Sequence, residues 1–173
     1  MVDAFQVRPV TRADLPAVGR LAAQLLRYHH ALDPLRFLTV GDPEKGYARF
    51  LGGELDDPHA VVVCAVREGA REGEIVGYAY GTLEGRDWNM LLDAHGALHD
   101  VLVDEGARRC GVGAMLVLDV CRRLEAMGAP RVVLGTAVQN REGRALFAKL
   151  GFRETMVEMT REARGEGASK PPT

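Results

Sequence analysis

Cysteine is scarce in this chain: three residues, Cys64, Cys110 and Cys121, among 173. An odd number at wide spacing builds neither a disulfide framework nor a metal-ligand motif. Reduced, intracellular thiols are the simplest reading. Positive charge is not in excess either. Lys plus Arg number 22 against 24 for Asp plus Glu, a net charge of -2. The broad basic footprint that sequence-independent phosphate binding needs is missing, so nucleic acid is not expected as a partner. No apolar run approaches the roughly 20 residues of a membrane span. The opening MVDAFQVRPV has no basic stretch followed by an apolar core, and it does not read as a signal peptide. A cytoplasmic protein without a membrane partner is expected. His29 and His30 are not followed by ligands at zinc spacing, and His95 and His99 fall on an expected strand, so no metal is expected.

What is present fits one domain. Hydrophobic residues make up 47% of the chain, enough for a full core. Phe5 to Val10 alternates as a short strand. Thr11 and Asp14 form a capping-box pattern, and Leu15, Val18, Leu21, Ala22, Leu25 and Leu26 follow at helical spacing. Pro34 is expected to break that helix within His29 to Phe37. Pro43, suited to a first turn, opens a second helix that runs to Leu55. Ala60 to Val66 is apolar on both faces and reads as a buried strand. Gly69 to Glu74 is a turn, and Ile75 to Leu83 completes a hairpin. Residues 84–93 form a polar link with the single tryptophan, Trp88. His95 to Val103 is a third long strand, Gly111 to Met127 an amphipathic helix and Arg131 to Gly135 a short strand. Gly143 to Leu150 is a helix closed by Gly151, and Phe152 to Thr160 is a last strand. The stretch Arg164 to Thr173 is rich in Gly, Ser, Lys and Pro and is expected to be disordered, leaving residues 1–163 as one domain. This order predicts an α/β fold with a mixed sheet and helices on both faces.

The sharpest local pattern is RRCGVG, Arg108 to Gly113, between a strand and a long helix. Gly111 and Gly113 let backbone approach a ligand closely. The amides from Cys110 through Val112 to Ala114 are donors at a helix N-terminus, a cradle for a pyrophosphate, and Arg108 and Arg109 add positive charge. A glycine-eased turn without a ligand is the alternative reading of these six residues. GxGxxG is absent, since Ala114, Met115 and Leu116 follow Gly113, and the Lys-Ser/Thr pair of a P-loop is absent too.

The stretch Val103 to Leu116, VDEGARRCGVGAML, resembles the acetyl-CoA signature of the GCN5-related N-acetyltransferase (GNAT) superfamily, with Arg108, Gly111 and Gly113 at its three marked positions. Asn140, Phe147 and the pair Gly151-Phe152 resemble a second block, and VRPVTRADLPAV resembles the first strand and helix. The resemblance spans about residues 5–160. It implies a GNAT-like, mostly antiparallel central sheet with a splay between the fourth and fifth strands. It also implies acetyl-CoA as cosubstrate, its pantetheine arm in that splay against the backbone of Val101 and Val103, with Asn140 and Phe147 near the cofactor. The implied reaction is direct attack of a primary amine on the thioester, the acceptor being a small molecule or a protein amine. A noncatalytic acyl-CoA sensor and the use of a longer acyl donor are the alternatives.

An ammonium cannot attack, so a base must take a proton. His99 stands where related branches of the superfamily carry Glu in Glu-Asp-Leu-x-Val, here His99 to Val103. It is the first candidate for base or water relay. Asp100 is expected on the opposite face of a regular strand and, with Glu84, is a weaker candidate. Phe147 replaces a Tyr that many members use to protonate the leaving thiolate, and Tyr78 or Tyr80 are the substitutes considered. Tyr28, His29, His30 and Asp33, in the expected loop between the first two helices, and Glu84 are candidates for the acceptor site. The last strand is a candidate surface for a homodimer.

Overall fold

The computed structural model describes residues 4–69 and 73–163. The middle of the expected turn Gly69–Glu74 and the whole of the expected disordered stretch Arg164–Thr173 therefore lie outside the described residues. The chain runs β1 (Phe5–Pro9), α1 (Leu15–Leu32), α2 (Pro43–Glu54), β2 (Ala60–Arg67), β3 (Ile75–Glu84), β4 (His95–Val103), α3 (Val112–Ala126), β5 (Val132–Leu134) and α4 (Arg141–Lys149). The five strands form one sheet in sequence order. Its first three pairings are antiparallel and β4–β5 is parallel.

Local chemistry sets the element ends. At the start of α1, the Asp14 carboxylate accepts from the Thr11 N–H at 2.8 Å and the Thr11 hydroxyl at 2.7 Å. Both of its oxygens also take the Arg8 guanidinium of β1, at 2.7 and 2.9 Å. That guanidinium is the main reason the Asp14 carboxyl is held far below its usual range. Pro34 forces the preceding residue out of the helical region, and α1 stops at Leu32 with Asp33 extended. Asp42 caps α2 by accepting from the Lys45 N–H at 3.3 Å.

The alternation of β2 fills two cores at once. Val61, Val63 and Ala65 pack with Leu98 against Val112, Leu116, Val117, Val120 and Leu124 of α3. Val62 and Cys64 pack with Tyr78, Tyr80 and Leu102 against Val18, Leu21, Ala22 and Leu25 of α1 and Leu51 of α2. Helix α3 sits close to the sheet because β3 offers glycine there. A Cβ at Gly81 would lie 2.7 Å from the Ala97 carbonyl oxygen and 3.0 Å from Val120 Cγ1.

One expected element is not formed. Residues 152–163 have no regular structure and are almost wholly exposed. Phe152 alone packs on the core, against Phe147 with ring centroids 5.9 Å apart. The apolar residues Met156 and Val157 are adjacent rather than alternating, so no register buries both on one face. The carboxylates flanking them are drawn elsewhere: Glu154 takes Arg144 Nε at 3.2 Å, and Glu158 pairs with Arg36 beyond α1.

Leu116 is fully buried beneath β3. Replacing it with Ala is expected to cost about 2–5 kcal/mol, read as a lowered urea midpoint at unchanged slope. A loss below about 1 kcal/mol would mean that the α3–sheet layer can collapse around the void.

Candidate active site

Strand β4 is not regular. Tyr80 pairs with Asp100 and Gly81 with Leu98, so His99 is the extra residue of a β-bulge. A bulge re-aims side chains, and here it turns both His99 and Asp100 to the α1/α2 face, correcting the expectation that Asp100 points the other way. His99 stacks on Tyr80 with centroids 5.0 Å apart and meets Thr82 Oγ1 through Nε2 at 2.7 Å. Asp100 accepts from the Tyr78 hydroxyl at 3.0 Å. Tyr78, Tyr80, Thr82 and Glu84 occupy alternate positions of β3 and form one polar stripe. Thr82 donates to Glu84 Oε1 at 2.6 Å. Glu84, Trp88, Asn89, His95, Ala97 and His99 line an open cavity of about 580 Å³ at this end of the β3–β4 hairpin. A second cavity of about 510 Å³ is lined by Pro9, Glu54, Arg122, Arg123 and Met127 among others, and its Glu54 is taken by the Tyr80 hydroxyl at 2.6 Å.

A gap opens on the other edge of β4. Pairing with β5 covers only Gly96, Ala97 and Leu98, opposite Val132, Val133 and Leu134. The Asp104 N–H bonds to Val76 of β3 at 2.8 Å. By strand alternation the backbone groups of Val101 and Val103 point away from β3, into the gap. The Val103 carbonyl accepts from Arg108 Nε at 3.1 Å. Gly111, with φ of 84°, begins α3 in the left-handed region and offers no side-chain cap. The first helical bond is Met115 N–H to the Gly111 carbonyl at 3.1 Å, so the N–H groups of Val112, Gly113 and Ala114 precede it. Nothing lies within 4 Å of a Cβ built on Gly111, whereas one on Gly113 would press on Leu146 at 3.2 Å. The two glycines thus serve different needs, turn geometry and the packing of α4. Arg109, also left-handed, and Cys110 are exposed, and Arg109 lies 3.8 Å from Glu142.

Other expected site residues are already engaged. Asn140 caps α4 through the Gly143 N–H at 3.0 Å and accepts from the Tyr28 hydroxyl at 3.2 Å. Tyr28, His29 and His30 lie inside α1 rather than in a loop, because α1 continues almost to Pro34. The Nδ1 atoms of His29 and His30 donate to the carbonyls of Leu25 at 3.1 Å and Phe37 at 2.8 Å. Asp33 spends one oxygen on the N–H groups of Leu35 and Arg36, each at 3.1 Å. Phe147 packs on the core beside Phe152. Thr82 and the cavity residue Trp88 were not among the expected site residues. The period-two polar stripe on an otherwise apolar strand was the signal for Thr82.

Residues 26–152 match the Acetyltransferase (GNAT) family. The chain belongs to that family. Among solved structures, a tetramutant of the BH1408 protein from Bacillus halodurans is similar over 91% of this chain and 99% of its own, at 18% identity and a TM-score of 0.73. The aminoglycoside N-acetyltransferase AAC(6')-Iy in complex with CoA is similar over 94% and 97%, at 19% identity and a TM-score of 0.71. AAC(6')-IG from Acinetobacter haemolyticus follows at 16% identity over 93% and 99%, with a TM-score of 0.68. No curated protein matches the sequence. These likenesses establish the GNAT fold: a mixed, largely antiparallel sheet with helices on both faces. No helix among the described residues is long and apolar enough to cross a membrane.

Within this GNAT fold the two carboxylates beside His99 differ in solvation. Burial raises the Asp100 pKa above the ordinary 3.8, against the Tyr78 hydrogen bond and the charges of His99 and His29. The folded chain therefore keeps this proton at pH values where the unfolded chain has lost it, and stability falls as pH rises from 3.8 through the raised value. Asp100→Asn is expected to raise the urea midpoint at about pH 7, with the gain shrinking toward about pH 4. An equal gain at both pH values would contradict the burial of charge.

Proposed function

We propose that this chain is an acetyl-CoA-dependent N-acetyltransferase acting on a primary amine of a small molecule, with residues 1–163 as its acetyl-CoA-binding domain. One observation carries the reading: β4 presents a histidine to an open cavity at its bulge and, two residues on, the backbone of Val101 to the gap beside β5. The CoA-bound state of the similar AAC(6')-Iy supports the choice of cosubstrate.

The residues present fit that molecule. Val101 offers its peptide groups, and Val103 its N–H, along an extended slot. The uncapped start of α3 aims the N–H groups of Val112, Gly113 and Ala114 at one place, with Arg108 and Arg109 beside it, the donor set a pyrophosphate needs. The open space beyond Gly111 leaves that approach clear. Bound acetyl-CoA would supply the acetyl group as an activated thioester.

The chain itself positions and deprotonates. The acceptor arrives as an ammonium, and His99 at the cavity wall takes its proton. Holding the freed amine against the gap converts a bimolecular attack into one between fixed partners. Neither tyrosine considered as a proton donor is free for it: the Tyr78 hydroxyl serves Asp100 and the Tyr80 hydroxyl serves Glu54, and burial raises both above the usual phenol range. A thiolate whose thiol titrates near 8.5 leaves without such help, consistent with phenylalanine at position 147.

The test is CoA release by the purified chain across polyamines, amino acids and aminoglycosides, with product masses and no-acceptor controls. Product from one class is expected. A folded chain that binds acetyl-CoA yet acetylates none of them would overturn the small-molecule reading. With the amine that reacts, His99→Gln is expected to lower kcat about 100-fold or more. Gly111→Glu places bulk and negative charge where the pyrophosphate is to sit, on a backbone of φ 84°. It is expected to weaken acetyl-CoA binding in calorimetry, and unchanged affinity in a folded variant would reject that placement.

A further inference from the structure

Thr82 lies between Glu84 and His99 and settles a question the imidazole alone leaves open: which ring nitrogen takes the proton. A hydroxyl has one hydrogen to donate. Thr82 Oγ1 is 2.6 Å from Glu84 Oε1 and 2.7 Å from His99 Nε2. An ionised carboxylate only accepts, so the hydroxyl hydrogen goes to Glu84. Oγ1 must then accept from His99, which requires a hydrogen on Nε2. A neutral imidazole carries one such hydrogen, so Nδ1 keeps the lone pair. Glu84 cannot impose this directly, because its oxygen is 3.8 Å from Nε2.

We propose that Thr82 is a positioning residue that fixes His99 in the Nε2–H tautomer and so makes Nδ1 the atom that accepts the proton. The mechanistic half of this rests on the reading of His99 as the base. Thr82 is itself held: it is 8% exposed and lies within the β3–β4 ladder opposite Ala97. The His99 ring is stacked on Tyr80, which holds its plane, and a half-turn of the ring would put a carbon in place of Nε2 against Thr82.

The proton step balances. An N–H bond of the substrate ammonium breaks, its electron pair stays on the amine as the nucleophile, and a new N–H bond forms at Nδ1. The resulting imidazolium keeps its Nε2–H on Thr82, whose hydroxyl passes the polarisation to the negative Glu84. Other charged or titratable groups on this face are Asp100 and His95 of β4, Tyr80 of β3 with Glu54 of α2 on its hydroxyl, His29 of α1, whose charge acts on Asp100, and Arg86 and Asp87 of the connecting loop. Arg86 is paired with Asp93 at 3.1 Å, and Asp87 accepts from the Asn89 N–H at 2.7 Å.

Nitrogen NMR of the ligand-free, labelled chain tests the assignment without any acceptor. In its neutral form His99 is expected to show a protonated Nε2 and a bare Nδ1, with His99→Gln identifying the signals. Thr82→Ser, which retains the hydroxyl, is expected to keep this pattern. Thr82→Val and Glu84→Gln are expected to give a mixture of tautomers, Glu84→Gln guarding against a Thr82→Val chain that does not fold. A dominant Nδ1–H form in the unaltered chain, or a pattern untouched by both variants, would overturn the proposal. With the amine that gives product, Thr82→Val is expected to lower kcat on the order of tenfold, a part of what a positioned base supplies, with KM little changed and Thr82→Ser restoring the rate. Equal turnover of Thr82→Val and the unaltered chain would refute the positioning role. A fixed tautomer together with full activity in His99→Gln would sink the base reading and leave the tautomer assignment standing.

Discussion

Strand β4 has more backbone than β5 can pair. Three residues of each strand meet, and the rest of β4, from His99 to Val103, runs on without that neighbour. Backbone N–H and carbonyl groups demand partners. One of them, the Val103 carbonyl, is met by Arg108 from the loop that follows. That mismatch shapes the surrounding structure. The short β5 releases the chain early into α4, whose Leu146 closes on Gly113 at the start of α3. The gap, the phosphate-type loop and the capped start of α4 thus meet at one end of the sheet.

The opposite edge of the same strand is shaped by one inserted residue. Without the bulge at His99, that histidine and Asp100 would face different layers. With it, two neighbouring side chains share a face and acquire different surroundings. Asp100 sinks against Tyr78 and loses water, while His99 stays at the cavity rim, tied through Thr82 to Glu84. Carboxylates in such unlike environments take unlike roles. Asp100 behaves as a half-buried polar anchor of the α1/α2 layer, and Glu84 as a partly solvated acceptor next to the histidine.

The loop from Arg108 to Gly113 was legible in the sequence because its requirements are local. A left-handed residue at a helix start calls for glycine, and a short spacing places both glycines on the same turn. The strand and helix order was legible for a related reason, since burial on one or both faces leaves a period of two or 3.6 in the residues. Thr82 was not legible as a site residue: its importance comes from a residue 17 positions away that a register shift brings to its hydroxyl. The end of the chain misled in the opposite way. Apolar residues at Phe152, Met156, Val157 and Met159 suggested a strand, but a strand needs a partner edge, and the charges among them are held by Arg144 and Arg36 instead.

By itself the sequence determined the pieces: two helices before a three-stranded antiparallel run, a glycine-rich turn into α3, and the absence of a nucleotide-type phosphate motif. These depend on contacts within a few residues or on a simple repeat. Tertiary structure alone decided where β4 and β5 part, which face Asp100 occupies, that Asn140 is a cap shared with Tyr28, and that His99 meets Thr82 through Nε2. Each of these turns on hydrogen bonds between groups far apart in the chain, whose partners exist only once the sheet has its register.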